Sequence, residues 1–376
     1  MLQENLAEQQ SKPTVEEIAI DGFDHIEFCV GNAKQAAYYY RRAFGFDFVG
    51  YRGLETGERR EVSYALKQDH VYLVLTGSLQ SDSLVSHHVQ RHGDGVRTIA
   101  LKVRDAKKAY ETALARGAEK ASELEVYEGA DGAFRSGSVR TYGDTIHKFV
   151  ERGEFKGTFA PGFRAIDGGQ PTETVGLAAI DHVVGSVERA HLDDWIDFYK
   201  NVFGFYVYQY FGDEDISTQF SSLVSPVMAN KSGSIKLPFI APAPGLRKSQ
   251  VEEYLDYYRA PGVQHIAIAT RDIIATTAQL QNRGVEFLKV PRSYYEALPE
   301  RVGKIDEDLE KLAQLGILVD RESEGYLLQI FTKPVQDRPT LFFEVIQRKG
   351  AKGFGKGNFQ ALFESIEREQ AQRGNL

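Results

Sequence analysis

The sequence predicts an α+β protein written twice, in two tandem halves that each hold a pair of βαβββ modules. Three paired segments carry this reading. Phe23-Asp24-His25-Ile26 opens a unit whose helical stretch ends at Ala43-Phe44-Gly45-Phe46, and Ile180-Asp181-His182-Val183 opens another that ends at Val202-Phe203-Gly204-Phe205. Gly95-Val96-Arg97-Thr98-Ile99-Ala100 matches Gly262-Val263-Gln264-His265-Ile266-Ala267, and His147-Lys148-Phe149-Val150-Glu151-Arg152 matches Phe343-Glu344-Val345-Ile346-Gln347-Arg348. With 376 residues the chain exceeds one ordinary core and suits two domains.

The elements follow in order. Residues 1–17 have no hydrophobic period and read as a flexible polar arm. The N-terminal domain, 18–152, begins with Ile18 to Val30, which alternates like a strand. Ala33 to Phe44 then has helical spacing, closed by Gly45. Val71 to Leu75 is a further strand, and the second module repeats the plan with strand Thr98 to Val103, helix Ala106 to Ala115 and a stop at Gly117. Residues 153–176 are rich in Gly and Pro, lack any period and read as a linker. The C-terminal domain, 177–376, repeats the scheme with strand Ala178 to Val184, helix Leu192 to Phe203, strand Val263 to Thr270, helix Ile273 to Arg283 and strand Leu341 to Ile346. It adds a terminal amphipathic helix in which Asn358 is the expected N-cap and Phe359, Leu362, Phe363 and Ile366 form one stripe.

Composition excludes several classes. The net charge is −8 and the pI about 5.7, so no basic field exists to hold nucleic acid. No apolar run is long enough for a membrane span, and the N-terminus lacks the hydrophobic stretch of a secretory signal, so a cytoplasmic location is expected. The single cysteine, Cys29, rules out an internal disulfide and a thiolate metal cage. Any metal must be held by nitrogen and oxygen.

The two halves differ where chemistry matters. The second has His182, His265 and Glu344 in the columns where the first has His25, Thr98 and Lys148. Two imidazoles and a carboxylate suit a divalent metal, whereas a lysine ammonium has no lone pair to give. His265 follows His182 by 83 residues and Glu344 lies 79 further on, spacing that requires three strands of one sheet to converge. Two histidines and a carboxylate on one face, with open positions opposite, form the ligand set of non-haem iron(II) oxygenases. Other features read as bland. Gly350 to Lys356 has phosphate-loop spacing, but Gly357 stands where a hydroxyl must reach magnesium. His88 and His92 read as a solvated helix end, and Tyr38-Tyr39-Tyr40 as core and interface packing.

Five segments, Ile180 to Gly185, Gly262 to Ala267, Leu328-Gln329-Ile330-Phe331-Thr332, Phe342 to Ile346 and Gly353-Phe354-Gly355-Lys356-Gly357-Asn358-Phe359, carry a specific resemblance. From about residue 20 to the C-terminus the chain resembles the 4-hydroxyphenylpyruvate dioxygenase family. These motifs are shared in part with the sister enzyme 4-hydroxymandelate synthase. The resemblance implies two vicinal-oxygen-chelate domains with curved open sheets, and one Fe(II) per chain on His182, His265 and Glu344. It also implies a dimer or tetramer, with 4-hydroxyphenylpyruvate and O2 as substrates and homogentisate as product in tyrosine and phenylalanine catabolism. Ser222, Gln250, Gln264, Gln329, Phe331, Phe342, Phe354, Asn358 and Phe359 would then contact substrate, with Gln329 and Asn358 assisting catalysis. Apart from the resemblance, the terminal stripe with Leu362 and Phe363 follows a glycine-rich hinge, Gly353 to Gly357, and reads as a lid over the open mouth of the second module.

One departure bears on the product. Leu237-Pro238-Phe239-Ile240-Ala241-Pro242 has Ile240-Ala241 where the usual dioxygenase has Asn-Glu, and the synthase also has isoleucine at the first position. Ile240 offers no hydrogen bond to a phenol. Phe359, where the synthase tends to be smaller and aliphatic, favours the dioxygenase. Formation of 4-hydroxymandelate from the same substrate is the alternative, and a metal-free ligand-binding or resistance protein on the same modules is another.

Overall fold

The computed structural model describes residues 15–167 and 170–375. The arm proposed for residues 1–17 therefore falls almost wholly outside the described residues. The first half runs β1 (Gly22–Cys29), α1 (Ala33–Phe44), β2 (Asp47–Arg52), β3 (Glu61–Gln68) and β4 (Val71–Ser78), then α2 (Leu84–His92), β5 (Gly95–Lys102), α3 (Ala106–Ala115), β6 (Lys120–Gly129), β7 (Gly132–Arg140) and β8 (Ile146–Glu151). The second runs β9 (Leu177–Ser186), α4 (Leu192–Phe198), β10 (Tyr206–Phe211), β11 (Ser222–Ala229) and β12 (Lys236–Ala243), then α5 (Gln250–Tyr258), β13 (Gly262–Thr270) and α6 (Ile273–Asn282). Three short helices, α7 (Arg292–Glu296), α8 (Leu298–Val302) and α9 (Leu309–Leu315), precede β14 (Leu318–Glu322), β15 (Gly325–Phe331), β16 (Phe342–Lys349) and α10 (Phe359–Gln372).

Each half is one eight-stranded sheet, in the order β2-β3-β4-β1-β5-β8-β7-β6 and, identically, β10-β11-β12-β9-β13-β16-β15-β14. The expected two tandem halves of paired modules are what the chain forms. Asn32 caps α1 by accepting from the Gln35 amide, and Gly45 ends it at φ 75°, where a Cβ would be strained. The helix read as Leu192 to Phe203 stays α-helical only to Phe198 and finishes as a π-turn over Tyr199–Phe203.

Packing between the halves revises two expectations. His88 and His92 are not solvated: both are buried, because α2 lies against α5, where His92 stacks on Tyr258 and its Nε2 donates to Asp144 at 2.7 Å. Tyr40 is buried and, with Phe44, meets Phe343 of β16 across the halves at 5.8 and 5.1 Å, whereas Tyr38 is 61% exposed and joins no core. Described residues of the 153–176 stretch are tied to the first half. Arg164 bridges Tyr51 on β2, and the backbone amides of Val175, Gly176 and Leu177 all donate to the buried Gln68 Oε1. No helix among the described residues is long and apolar enough to cross a membrane.

Candidate metal centre

Strand register brings the three predicted ligands together. β9, β13 and β16 are neighbours at the middle of the second sheet, and His182 pairs with Ala267, which pairs with Glu344. His265 is two residues before Ala267, so it shares that face. Ala267 is the reason the row has room: its methyl leaves a gap between the imidazole on one side and the carboxylate on the other. His182 Nε2 lies 3.3 Å and His265 Nε2 3.6 Å from Glu344 Oε2, and one donor atom from each residue falls within 4.8 Å of the others. His182 and Glu344 are each 2% exposed.

The surrounding groups hold these side chains in the form a cation needs. His182 Nδ1 donates to Asp181 Oδ1 at 2.8 Å, and Arg348 clamps Asp181 with Nε and Nη2, both at 2.7 Å. His265 Nδ1 donates to Gln264 Oε1 at 3.0 Å and its ring stacks on Phe342 at 4.8 Å. With both Nδ1 atoms engaged as donors, the Nε2 lone pairs face the centre. Burial pushes the Glu344 carboxyl up, but the two facing imidazoles outweigh it and hold it down at about 2. Burial dominates at His265 and lowers it, while for His182 the pull of Glu344 and Asp181 overcomes burial and raises it. An anionic carboxylate beside two imidazoles with inward lone pairs fits a dication.

A relay extends away from the carboxylate. Gln329 Nε2 donates to Glu344 Oε1 at 2.9 Å and Asn358 Nδ2 donates to Gln329 Oε1 at 2.9 Å. Tyr294 OH and Arg301 Nη2 in turn donate to Asn358 Oδ1 at 2.7 and 3.2 Å. Tyr294 and Arg301 went unnoticed in the sequence, since they sit on α7 and α8 with no counterpart in the first half. Asn358 does not cap α10 as expected, because its amide is turned inward to this relay. The glycines before it serve close packing rather than slackness: a Cβ on Gly355 would meet Gln329 Oε1 at 2.3 Å, and one on Gly357 would meet Asp320 Oδ1 at 2.2 Å.

The donors open onto a largely apolar cavity of about 80 Å³. Gln250, Gln264, Gln329, Phe331, Phe342 and Phe354 line it, with Phe359, Leu362 and Phe363 from α10 closing over them. Ser222 does not reach it. Its Oγ donates to the Pro244 carbonyl at 2.8 Å at the end of the β11–β12 pair, and Ser225 is the hydroxyl on the cavity wall. Asn358 also stands behind the wall, hydrogen-bonded to Gln329. Ile240 is on the wall beside Val184, Leu223 and Val227, apolar positions that strand alternation had not singled out.

Comparison with known proteins agrees with this geometry. The family described as "Hydroxyphenylpyruvate dioxygenase, HPPD, N-terminal" matches residues 15–160, and the Glyoxalase/Bleomycin resistance protein/Dioxygenase superfamily matches residues 179–299. Relatives named 4-hydroxyphenylpyruvate dioxygenase include one from Dictyostelium discoideum, 44% identical over 95% of this chain and 100% of its own length. Another, from Danio rerio, is 46% identical over 94% of this chain and 92% of its own. A solved mutant of 4-hydroxymandelate synthase from Streptomyces coelicolor has TM-score 0.83 and 30% identity, covering 94% of this chain and 100% of that one.

Proposed function

We propose, for a chain that belongs to the 4-hydroxyphenylpyruvate dioxygenase family, that it holds one Fe(II) on His182, His265 and Glu344 and converts 4-hydroxyphenylpyruvate and O2 to homogentisate and CO2. The observation that carries the reading is the convergence of those three donors, on three adjacent strands, at the floor of an apolar cavity. Bound there, iron(II) would supply open positions for the oxygens of a 2-oxo acid and for dioxygen. The remaining work falls to the protein. Asp181 and Gln264 fix the imidazoles, and Gln329, steadied by Asn358, holds the carboxylate at one angle. Phe331, Phe342, Phe354 and Phe359 pack the substrate ring and exclude water, with Gln250 and Ser225 the polar wall groups for a phenol. Leu362 and Phe363 act as the lid. The division into domains at 153–176, an assembly of two or four chains, a cytoplasmic location and a place in tyrosine and phenylalanine catabolism belong to the same proposal.

Ile240 favours a second reading, since its side chain stands on the cavity wall and offers the phenol no hydrogen bond. Under that reading the product is 4-hydroxymandelate. Protein loaded anaerobically with Fe(II) and given substrate and air should bind one metal per chain and yield homogentisate on chromatography. Mainly 4-hydroxymandelate would replace the first product with the second; no metal and no oxygen uptake would remove both.

A further inference from the structure

The first half contains its own cavity, about 160 Å³, in the bowl that corresponds to the metal centre of the second. Its framework has been kept. His25 pairs with Ala100, which pairs with Lys148, the same row as His182, Ala267 and Glu344. His25 Nδ1 donates to Asp24 Oδ1 at 2.6 Å, and Arg152 clamps Asp24 with Nε and Nη2 at 2.7 Å each. Phe159 meets the His25 ring edge-on at 5.3 Å and 72°, under the Arg152 guanidinium at 4.9 Å. Phe354 stands against His182 at 5.0 Å and 73°, with Arg348 at 5.9 Å. Phe159 arrives on the strap after β8 with φ 53°, a left-handed conformation that a phenylalanine keeps only when its surroundings hold it there. Arg152 Nη1 donates to its carbonyl and supplies part of that hold.

The framework is kept but the charges are exchanged. Lys148 replaces the carboxylate, so no dication can sit here. Glu27, on the cavity face of β1, accepts from Thr76 Oγ1 at 2.7 Å and Thr98 Oγ1 at 2.8 Å and is held ionised against burial chiefly by Lys148. Of the buried polar atoms in this lining, two have no partner among the described residues: Ser136 Oγ, on a residue 1% exposed, and Nε of Arg52, whose Nη2 reaches Glu61 Oε2 at 3.4 Å. By register Ser136 occupies the place of Gln329, the residue that bonds the metal carboxylate in the other half. Buried polar groups are normally satisfied, so two orphans on one cavity mark a place where a ligand atom belongs.

The lining specifies what that ligand is. Phe134, Phe159 and Phe163 offer ring faces and edges, and two cations, Lys148 and Arg52, balance two carboxylates, Glu27 and Glu125. A neutral lining with both signs fits a zwitterion better than a net anion. We propose that the N-terminal bowl binds an aromatic α-amino acid. Lys148, Ser136 and Arg52 take its carboxylate, Glu125 at the exposed rim takes its ammonium, and the phenylalanines take its ring.

Calorimetry on the full-length, metal-free chain with L-phenylalanine and L-tyrosine tests this. One site per chain is expected in wild type and in Glu344→Ala, weakened about tenfold or more by Lys148→Met and by Glu125→Lys, each of which removes a charge-assisted hydrogen bond. Phenylpropanoate, which lacks the ammonium, should bind about tenfold more weakly than L-phenylalanine. If Lys148→Met fails to fold, the exposed Glu125→Lys decides alone. No binding at about 5 mM ligand, far above the affinity of a built site, would overturn the proposal. Binding lost in Glu344→Ala, binding unchanged by the first-half substitutions, or equal affinity for phenylpropanoate would each do the same.

Discussion

Replacing Asp181 with asparagine separates metal support from stability, because the protein contains its own control. Asp181 accepts from His182 Nδ1 at 2.8 Å and from Arg348 at 2.7 Å twice. The Asp181→Asn side chain would have one oxygen and one NH2. With the oxygen toward His182, the NH2 confronts the Arg348 Nε–H, donor against donor. With the amide reversed, it confronts His182 Nδ1, forces that proton onto Nε2 and blocks the ligand lone pair. Loss of such a supporting partner costs roughly 10–100-fold in metal affinity, or about 1.4–2.7 kcal/mol. It also strands Arg348, whose side chain is 19% exposed, for about 3 kcal/mol of folding stability, the low end for a broken buried pair. Asp24→Asn makes the same cut in the first half, where Arg152 and His25 bond Asp24 at 2.7, 2.7 and 2.6 Å. Urea denaturation of the metal-free proteins should therefore show similar losses in both variants. Anaerobic Fe(II) titration against a competing chelator should show weakened binding in Asp181→Asn alone. An equal loss of metal affinity in Asp24→Asn, or a change under about twofold in Asp181→Asn, far below that range, would refute the reasoning.

Further outcomes follow from the same geometry. Glu344→Ala removes the only anionic donor and should lower iron affinity by more than about 100-fold, read as metal content after gel filtration. Gln329→Ala should retain one metal at saturating iron while turnover falls about tenfold or more, because Glu344 Oε1 and Asn358 lose their partner. Burial, with His92 and Arg97 beside it, pushes the His88 imidazole down to about 3 from 6.5. The unfolded chain thus binds the extra proton, and stability present above pH 6.5 falls as pH drops toward 3. At pH 5 this amounts to about 2 kcal/mol, which His88→Phe should abolish; chemical denaturation at pH 7.5 and 5 checks it. Glu367 is buried and accepts from Thr218 and Ser221 at 2.7 Å each, latching α10. Glu367→Ala should leave metal content intact but make oxygen uptake exceed product, and so should truncation within α10; full coupling would end the lid reading.

Much of this protein is legible without coordinates because duplication makes the chain its own alignment. The His25/His182, Thr98/His265 and Lys148/Glu344 columns isolate the donors, and period-2 and period-3.6 patterns with glycine stops delimit β1, α1, α3 and the α10 stripe to within a few residues. These are local properties, set by backbone sterics and by which face of an element is apolar. What tertiary structure decided lies where distant segments meet. That Ala267 makes room between His182 and Glu344 depends on strand register. The inward turn of Asn358, the contacts of Tyr294 and Arg301, the burial of His88 and His92 and the place of Ser225 rather than Ser222 on the cavity wall depend on which surface packs over which. A residue's spacing along the chain states which neighbours share its face, but the partner of a buried polar atom is chosen by the fold, since satisfying it requires a complementary group in space at any separation in sequence.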